Sequence, residues 1–203
     1  IREPGDVLQR VVDEAVRLLG ADGAVIDQFD PESETLHWAF DSGISEAQRE
    51  GVKLTNLRLG EGVSGKAVAE GRVITVGDYM AAEFQHDELA DSLAAGEGLR
   101  DLIVAPIIGD AGPLGAIEVF SRRPHAFDTL DAAILGTLAE QASIAITNAR
   151  LIDELERSQA ALARRAETER SLRDITARIA ALQDPDEVLE RVVEDAKRLL
   201  ETD

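Results

Sequence analysis

Gly60, Gly62 and Gly65 in RLGEGVSGKAVAEGRVITVGDY have the G-x-G-x-x-G spacing that, at a helix entrance, cradles a pyrophosphate in backbone N–H groups. The apolar run RVITV follows and leads to Asp78, an acid placed to meet a ribose hydroxyl. Such a site needs a buried parallel strand before the glycines and a full crossover helix after them. The preceding VKLTNLRL instead carries Lys53, Thr55, Asn56 and Arg58, and the helix-like VSGKAVAE is short. The glycines are therefore assigned to a tight backbone path around a short helix, not to a nucleotide.

The other chemistry-bearing residues are few. Cysteine is absent, which removes disulfides, thiolate catalysis and every cysteine-based metal or haem attachment. The three histidines, His37, His86 and His125, have no i, i+4 partner of the kind that holds a metal. His37 alternates with Trp38 and is expected to face solvent. His86, in FQHDE, is placed at the start of a lid helix where it would meet a ligand. His125, in RPHAF, falls in the turn before a long helix and is read as structural or solvated. No Ser–His–Asp arrangement suggests itself, so no catalytic residue, metal or cofactor is assigned and no enzyme is expected.

Charge narrows the partners. A net charge of −19 over 203 residues, with no basic run, argues against nucleic acid or an anionic membrane surface. No stretch approaches the ~20 apolar residues of a membrane span, and the opening IREPGD does not read as a signal peptide. A cytoplasmic location is the expectation.

The elements that must position these residues follow from periodicity. DVLQRVVDEAVRLLGAD near the start and EVLERVVEDAKRLLETD at the end align without gaps, which points to two copies of one module, the second cut off after its first helix. In the first copy Val7, Val11, Ala15 and Leu18 are expected to form the apolar face. GAVIDQFD and ETLHWAFDS read as a hairpin. A short helix, a strand in VKLTNLRL, the helix VSGKAVAE and the strand RVITV come next. A polar lid is partly helical around residues 87–95, and two antiparallel strands surround the turn GDAGP. A very long helix is expected from Thr129 to Leu182, with Asp128 as its N-cap and Asp131 suiting its positive end. At 1.5 Å per residue it would be ~80 Å long, more than one globular domain covers. Its second half sets Ile152, Leu155, Leu162, Ala166, Leu172, Ile175, Ile179 and Leu182 at three-four spacings, a coiled-coil seam through which the chain would form a homodimer. Gln159 and Glu169 interrupt that seam, and its phase slips before Leu172.

Four motifs in this order resemble the GAF domains of signalling proteins: the first helix running into GAVIDQFD, GEGVSGKAVAEGRVITVGD, LIVAPIIGDAGPLGAIEVFSRRPHAFD, and LDAAILGTLAEQASIAITNARLIDEL. The resemblance implies an α+β fold: a six-stranded antiparallel sheet with the terminal helices on one face and a ligand pocket under loops and short helices on the other. It implies a GAF domain over residues 5–150, a coiled-coil linker helix over 151–183 and the first helix of a second, truncated GAF over 184–203. Bilin-binding members and the free methionine sulfoxide reductases of the family use cysteine, which this chain lacks. Haem-binding members carry a histidine where GEGLRDLIVAP has Arg100, and the N-K-x-F-x-D-E signature of cyclic-nucleotide binders is not found.

The alternation of LGAIEVFSR sends Ile117 and Val119 under the helices and Ala116, Glu118 and Phe120 to the pocket face. Glu118, costly to bury without a partner, either orients a ligand or pairs with Arg100 or Arg122. The same alternation places Trp38 and Phe40 on one face, as a pocket wall or as core. The candidate pocket is then Trp38, Phe40, His86, Leu93, Arg100, Leu102, Ala116, Glu118 and Phe120. The function expected is a small-molecule-sensing and dimerisation module of a signal-transduction protein, most simply a sensor histidine kinase. The alternatives are a structural dimerisation module without ligand and a regulator of a diguanylate cyclase or phosphatase output.

Overall fold

The computed structural model describes residues 4–52, 56–81 and 88–182, together with 186, 189–190, 193–194 and 196–197. The chain divides into two compact units, Ile1–Leu151 and Ile152–Asp203.

The first unit opens with helix α1 (Pro4–Leu19), whose acidic first turn and basic last turn suit the helix dipole. Its buried stripe is Leu8, Val11, Val12 and Ala15, while Leu18 is 49% exposed and Val7 only partly buried. The expected face through Val7 and Leu18 is thus rotated. Where Val7 and Leu8 are both apolar, packing against the sheet decides which of them is covered.

Six strands form one antiparallel sheet: β1 (Gly23–Asp30), β2 (Thr35–Ser42), β3 (Asn56–Arg58), β4 (Ile74–Val76), β5 (Asp101–Gly109) and β6 (Gly112–Ser121). The strand order is β3-β2-β1-β6-β5-β4, so β1 and β6 pair at the centre. Short helices α2 (Glu46–Val52), α3 (Gly62–Glu70) and α4 (Glu88–Glu97) interrupt the strands, and α5 (Thr129–Leu182) follows β6.

The central strands bury both faces, so successive residues feed two separate cores. Ile26, Ile103, Ile117 and Val119 pack with Leu8, Val12 and Ala15 of α1 and with Leu135, Ala139, Ala142 and Ile146 of α5. Val25, Leu102, Val104, Ala116 and Phe120 pack with Val63, Ala67 and Val68 of α3 and with Ala94 of α4. Ile117 and Val119 therefore lie under the helices, and Ala116 and Phe120 on the opposite face. The Ser143 hydroxyl, donating to the Ile108 carbonyl at 2.7 Å, fastens α5 to the end of β5.

The start of α5 is capped by its own sequence. The Asp128 Oδ1 accepts the amides of Leu130 (2.7 Å) and Asp131 (3.1 Å), and the Asp131 carboxylate accepts the Asp128 amide at 2.9 Å. This reciprocal box satisfies N–H groups that the first turn leaves open.

In the second unit, Ile152, Leu155, Leu162, Leu172 and Ile175 are 45–61% exposed, and Ala166 is exposed too. The side chains of Ile179 and Leu182 lie outside the described residues, as does most of the region 184–203 expected to open a second module.

Candidate functional site

The sheet face turned away from α1 and α5 carries a cavity of about 110 Å³. Its floor is Val25 and Asp27 of β1, Leu102 of β5, and Glu118 and Phe120 of β6. Gly62, Val63 and Ser64 at the start of α3 form one wall, and Leu93, Ala94 and Glu97 of α4 form another, with Ile44, Leu57, Tyr79 and Leu99 between them. The α3 entrance depends on the glycine motif. Gly62 has φ +59°, and a Cβ on Gly65 would lie 2.2 Å from the Arg58 carbonyl oxygen. The Gly60 amide closes the turn on the Gly65 carbonyl at 2.8 Å.

The polar groups of the cavity are mainly acids. Asp27, only 7% exposed, receives no hydrogen bond on its carboxyl from any described residue. Burial pushes its pKa well above the usual carboxylate range, and the nearby Glu118 charge pushes it further. Burial raises Glu118 as well, opposed by the Ser64 hydroxyl, which donates to Glu118 Oε2 at 2.7 Å. The register sets Asp27 opposite Ala116 and Glu118 opposite Val25, so the acids are diagonal neighbours on one face.

Glu97 behaves differently. Burial opposes its charge, but Ser45 and the Arg122 guanidinium outweigh that and hold its carboxyl below the usual range. The Ser45 amide donates at 2.8 Å and Arg122 Nη2 at 2.8 Å. The Tyr79 hydroxyl donates to Asp91 at 3.1 Å. Among the described residues no histidine, lysine or arginine lines the cavity. The arrangement favours binding over nucleophilic chemistry.

The sequence model of one family, described as "GAF domain", matches residues 2–147. The chain belongs to the GAF family. No curated protein matches it in sequence. Solved structures resemble it over most of their length. The GAF domain of an Acinetobacter phosphoenolpyruvate-protein phosphotransferase is 18% identical (TM-score 0.62), covering 75% of this chain and 87% of that one. A domain assigned to a two-component sensor histidine kinase protein of Sinorhizobium meliloti 1021 is 25% identical (TM-score 0.60), covering 76% and 96%. The free methionine-R-sulfoxide reductase of Neisseria meningitidis, solved with its substrate, is 24% identical (TM-score 0.61), covering 74% and 81%. GAF domains are signalling and sensory modules, and some proteins of this fold are enzymes.

Within this GAF domain the residues expected at the pocket separate. Leu93, Leu102, Glu118 and Phe120 line the cavity. Ala116 is fully buried in the same core. Trp38 packs against that core from β2, but Phe40 packs against the helix-side core. Their expected common face is corrected by a bulge. Ile26 pairs with Phe40 and Asp27 with Trp38, which leaves Ala39 extra and reverses the alternation. Arg100 does not line the cavity; its Nη2 lies 2.8 Å from Asp78, the acid first considered for a ribose. The pairing of Glu118 with Arg100 or Arg122 does not occur, because Arg122 is held by Glu97 and Asp22. His37 is about half exposed and contacts Thr35 and Asn56, and His125 donates its amide to the Gly77 carbonyl. His86 lies outside the described residues. The reading of the sequence did not include Asp27, Ser64, Tyr79 or Glu97. The alternation of GAVIDQFD carried a signal for the first of these.

Proposed function

We propose that residues 5–150 are the small-molecule-sensing GAF domain of a cytoplasmic signal-transduction protein, most simply a sensor histidine kinase. On this reading 151–183 pair two copies as a coiled coil, and 184–203 open a second GAF domain. The observation that carries the sensing reading is the cavity, which is walled by apolar side chains yet holds an acid with no hydrogen-bond partner among the described residues. The likeness to the sensor-kinase domain supports the choice of output.

The sheet lies between cavity and helices, with Glu118 and Phe120 facing one side and Ile117 and Val119 the other. An occupant that shifts β6 would thereby bias α5, whose residues Leu135 to Ile146 rest on that strand's other face. It does so only to the extent that its affinity differs between two arrangements of the helix. The exposed seam of Leu155 and Leu162 supports pairing of two chains.

Thermal unfolding against a metabolite panel tests the sensing reading. A ligand of the cavity raises the midpoint with concentration, and a cavity-filling Ala94→Leu exchange abolishes the rise. A panel without any such shift refutes it. Sedimentation equilibrium tests the pairing: the chain is expected as a dimer and the Leu155→Asp/Leu162→Asp variant as a monomer. A monomeric parent chain refutes the coiled coil.

A further inference from the structure

The cavity also specifies what kind of molecule it suits, an inference that rests on the sensing reading above. The groups facing the space are Asp27 from β1, Glu118 from β6, the Ser64 hydroxyl from α3, the Tyr79 hydroxyl, and Glu97 from α4. Four of the five already have a partner. Ser64 donates to Glu118, Tyr79 donates to Asp91, and Glu97 is neutralised by Arg122. What is left toward the space is the Asp27 carboxyl and the second oxygen of Glu118, which are acceptors or a shared proton. The surrounding side chains are Val25, Ile44, Val63, Leu102 and Phe120, apolar throughout.

We propose that the cavity binds a small aliphatic ammonium compound, its charged nitrogen between Asp27 and Glu118 and its hydrocarbon part against Leu102 and Phe120. An ammonium group supplies three donors and the positive charge that two adjacent carboxyls lack. An anion such as a carboxylate or phosphate would meet two acids and no cation among the described lining residues. A neutral alcohol could satisfy Asp27 but would leave the acids' mutual repulsion in place. Size sets a limit too. An apolar cavity of about 150 Å³ admits benzene, so this one of about 110 Å³ suits an amine of that bulk or less. A divalent metal ion is disfavoured, because no cluster of three or more His, Cys, Asp or Glu able to hold one occurs among the described residues.

Ammonium binding requires the pair to give up protons that burial has kept on it, so affinity rises with pH until both acids are charged. Glu97, held below the usual carboxylate range by Ser45 and Arg122, is already charged there and does not produce the effect.

The probes are three molecules of similar shape, each smaller than benzene: propylamine, 1-propanol and propionate, titrated calorimetrically into the full chain. The amine is expected to bind about tenfold or more tighter than the alcohol, with propionate undetected. Its binding should release protons, seen as a dependence of the heat on buffer ionisation enthalpy. Asp27→Asn is expected to lose about tenfold or more in amine affinity while unfolding no more easily than the parent. Glu118→Gln, which keeps an oxygen for Ser64, is expected to act in the same direction. Equal binding of amine and alcohol, or amine binding untouched in both variants, overturns the ammonium assignment. So does stabilisation by magnesium or calcium chloride alone that Asp27→Asn removes. If the amine fails while another panel compound binds in the cavity, only the ligand class falls. If nothing binds, the sensing reading falls with it.

Discussion

Exchanging Asp27 and Glu118 for their amides, singly and together, isolates the cost of placing two acids on one buried face. Their diagonal register puts the Cβ atoms about 7 Å apart. With an effective dielectric constant of about 20, two full charges at that separation repel by about 2.4 kcal/mol. Both folded-state pKa values are raised above the ordinary 3.8 and 4.5. The folded chain therefore holds protons that the unfolded chain releases. Stability from this pair falls as pH climbs from about 4 through the raised titrations, and is constant beyond them. At a pH beyond both raised titrations each single variant is expected to be more stable than the parent. The double variant should gain less than the sum of the singles by about 2 kcal/mol, because either exchange already removes the repulsion. At about pH 4, where both acids keep their protons, that coupling should vanish. Urea unfolding followed by fluorescence of Trp38, the sole tryptophan, which packs against the pocket-side core, reads the relevant unit. Additive single effects at high pH, or variants less stable than the parent there, would refute the reasoning.

Two further exchanges probe how the site is framed. Asp101 is fully buried at the start of β5, and its Oδ2 accepts the amides of Ala126 (2.5 Å) and Phe127 (3.0 Å) just before α5. Asp101→Ala leaves both amides without that acceptor and is expected to cost about 3 kcal/mol in urea unfolding, with Asp101→Asn losing less; equal losses would refute this account. Gly65→Ala forces its Cβ to within 2.2 Å of the Arg58 carbonyl oxygen, a backbone atom, and is expected to cost about 1–3 kcal/mol, whereas a neutral exchange would undo the tight-turn account of the glycine motif.

The order of elements, the hairpins and the long helix were legible because each rests on a local signal, whereas the joining of six strands into one antiparallel sheet was implied only by the family resemblance. The capping acids Asp128 and Asp131 announce α5, and the turn GDAGP announces the hairpin of β5 and β6. The face of β6 was legible for the same reason: its alternation from Ala116 to Phe120 continues without a break. Phe40 was misplaced because the bulge at Ala39 is a backbone event that no glycine or proline marks. The partners of Arg122 were out of reach for another reason. Glu97 and Asp22 stand 25 and 100 positions away, and charge pairing at such separations has no sequence period.

Asp27 is the instructive omission. The argument that a mid-strand acid at position 118 must be either paired or functional applies equally to an acid in the strand GAVIDQFD. Applied to both strands, it places two acids on one face, and the central pairing of β1 with β6 makes them neighbours. Among the described residues neither acid finds an arginine, although Arg100 and Arg122 both engage acids of the same unit. A core that gives its other buried acids, Glu97 and Asp101, strong donors yet leaves these two together departs from the local rules at one place. Such departures are expected where a site does work that stability alone would not select. The departure coincides with the cavity, which makes Asp27 and Glu118 the residues on which the sensing reading should first be tested.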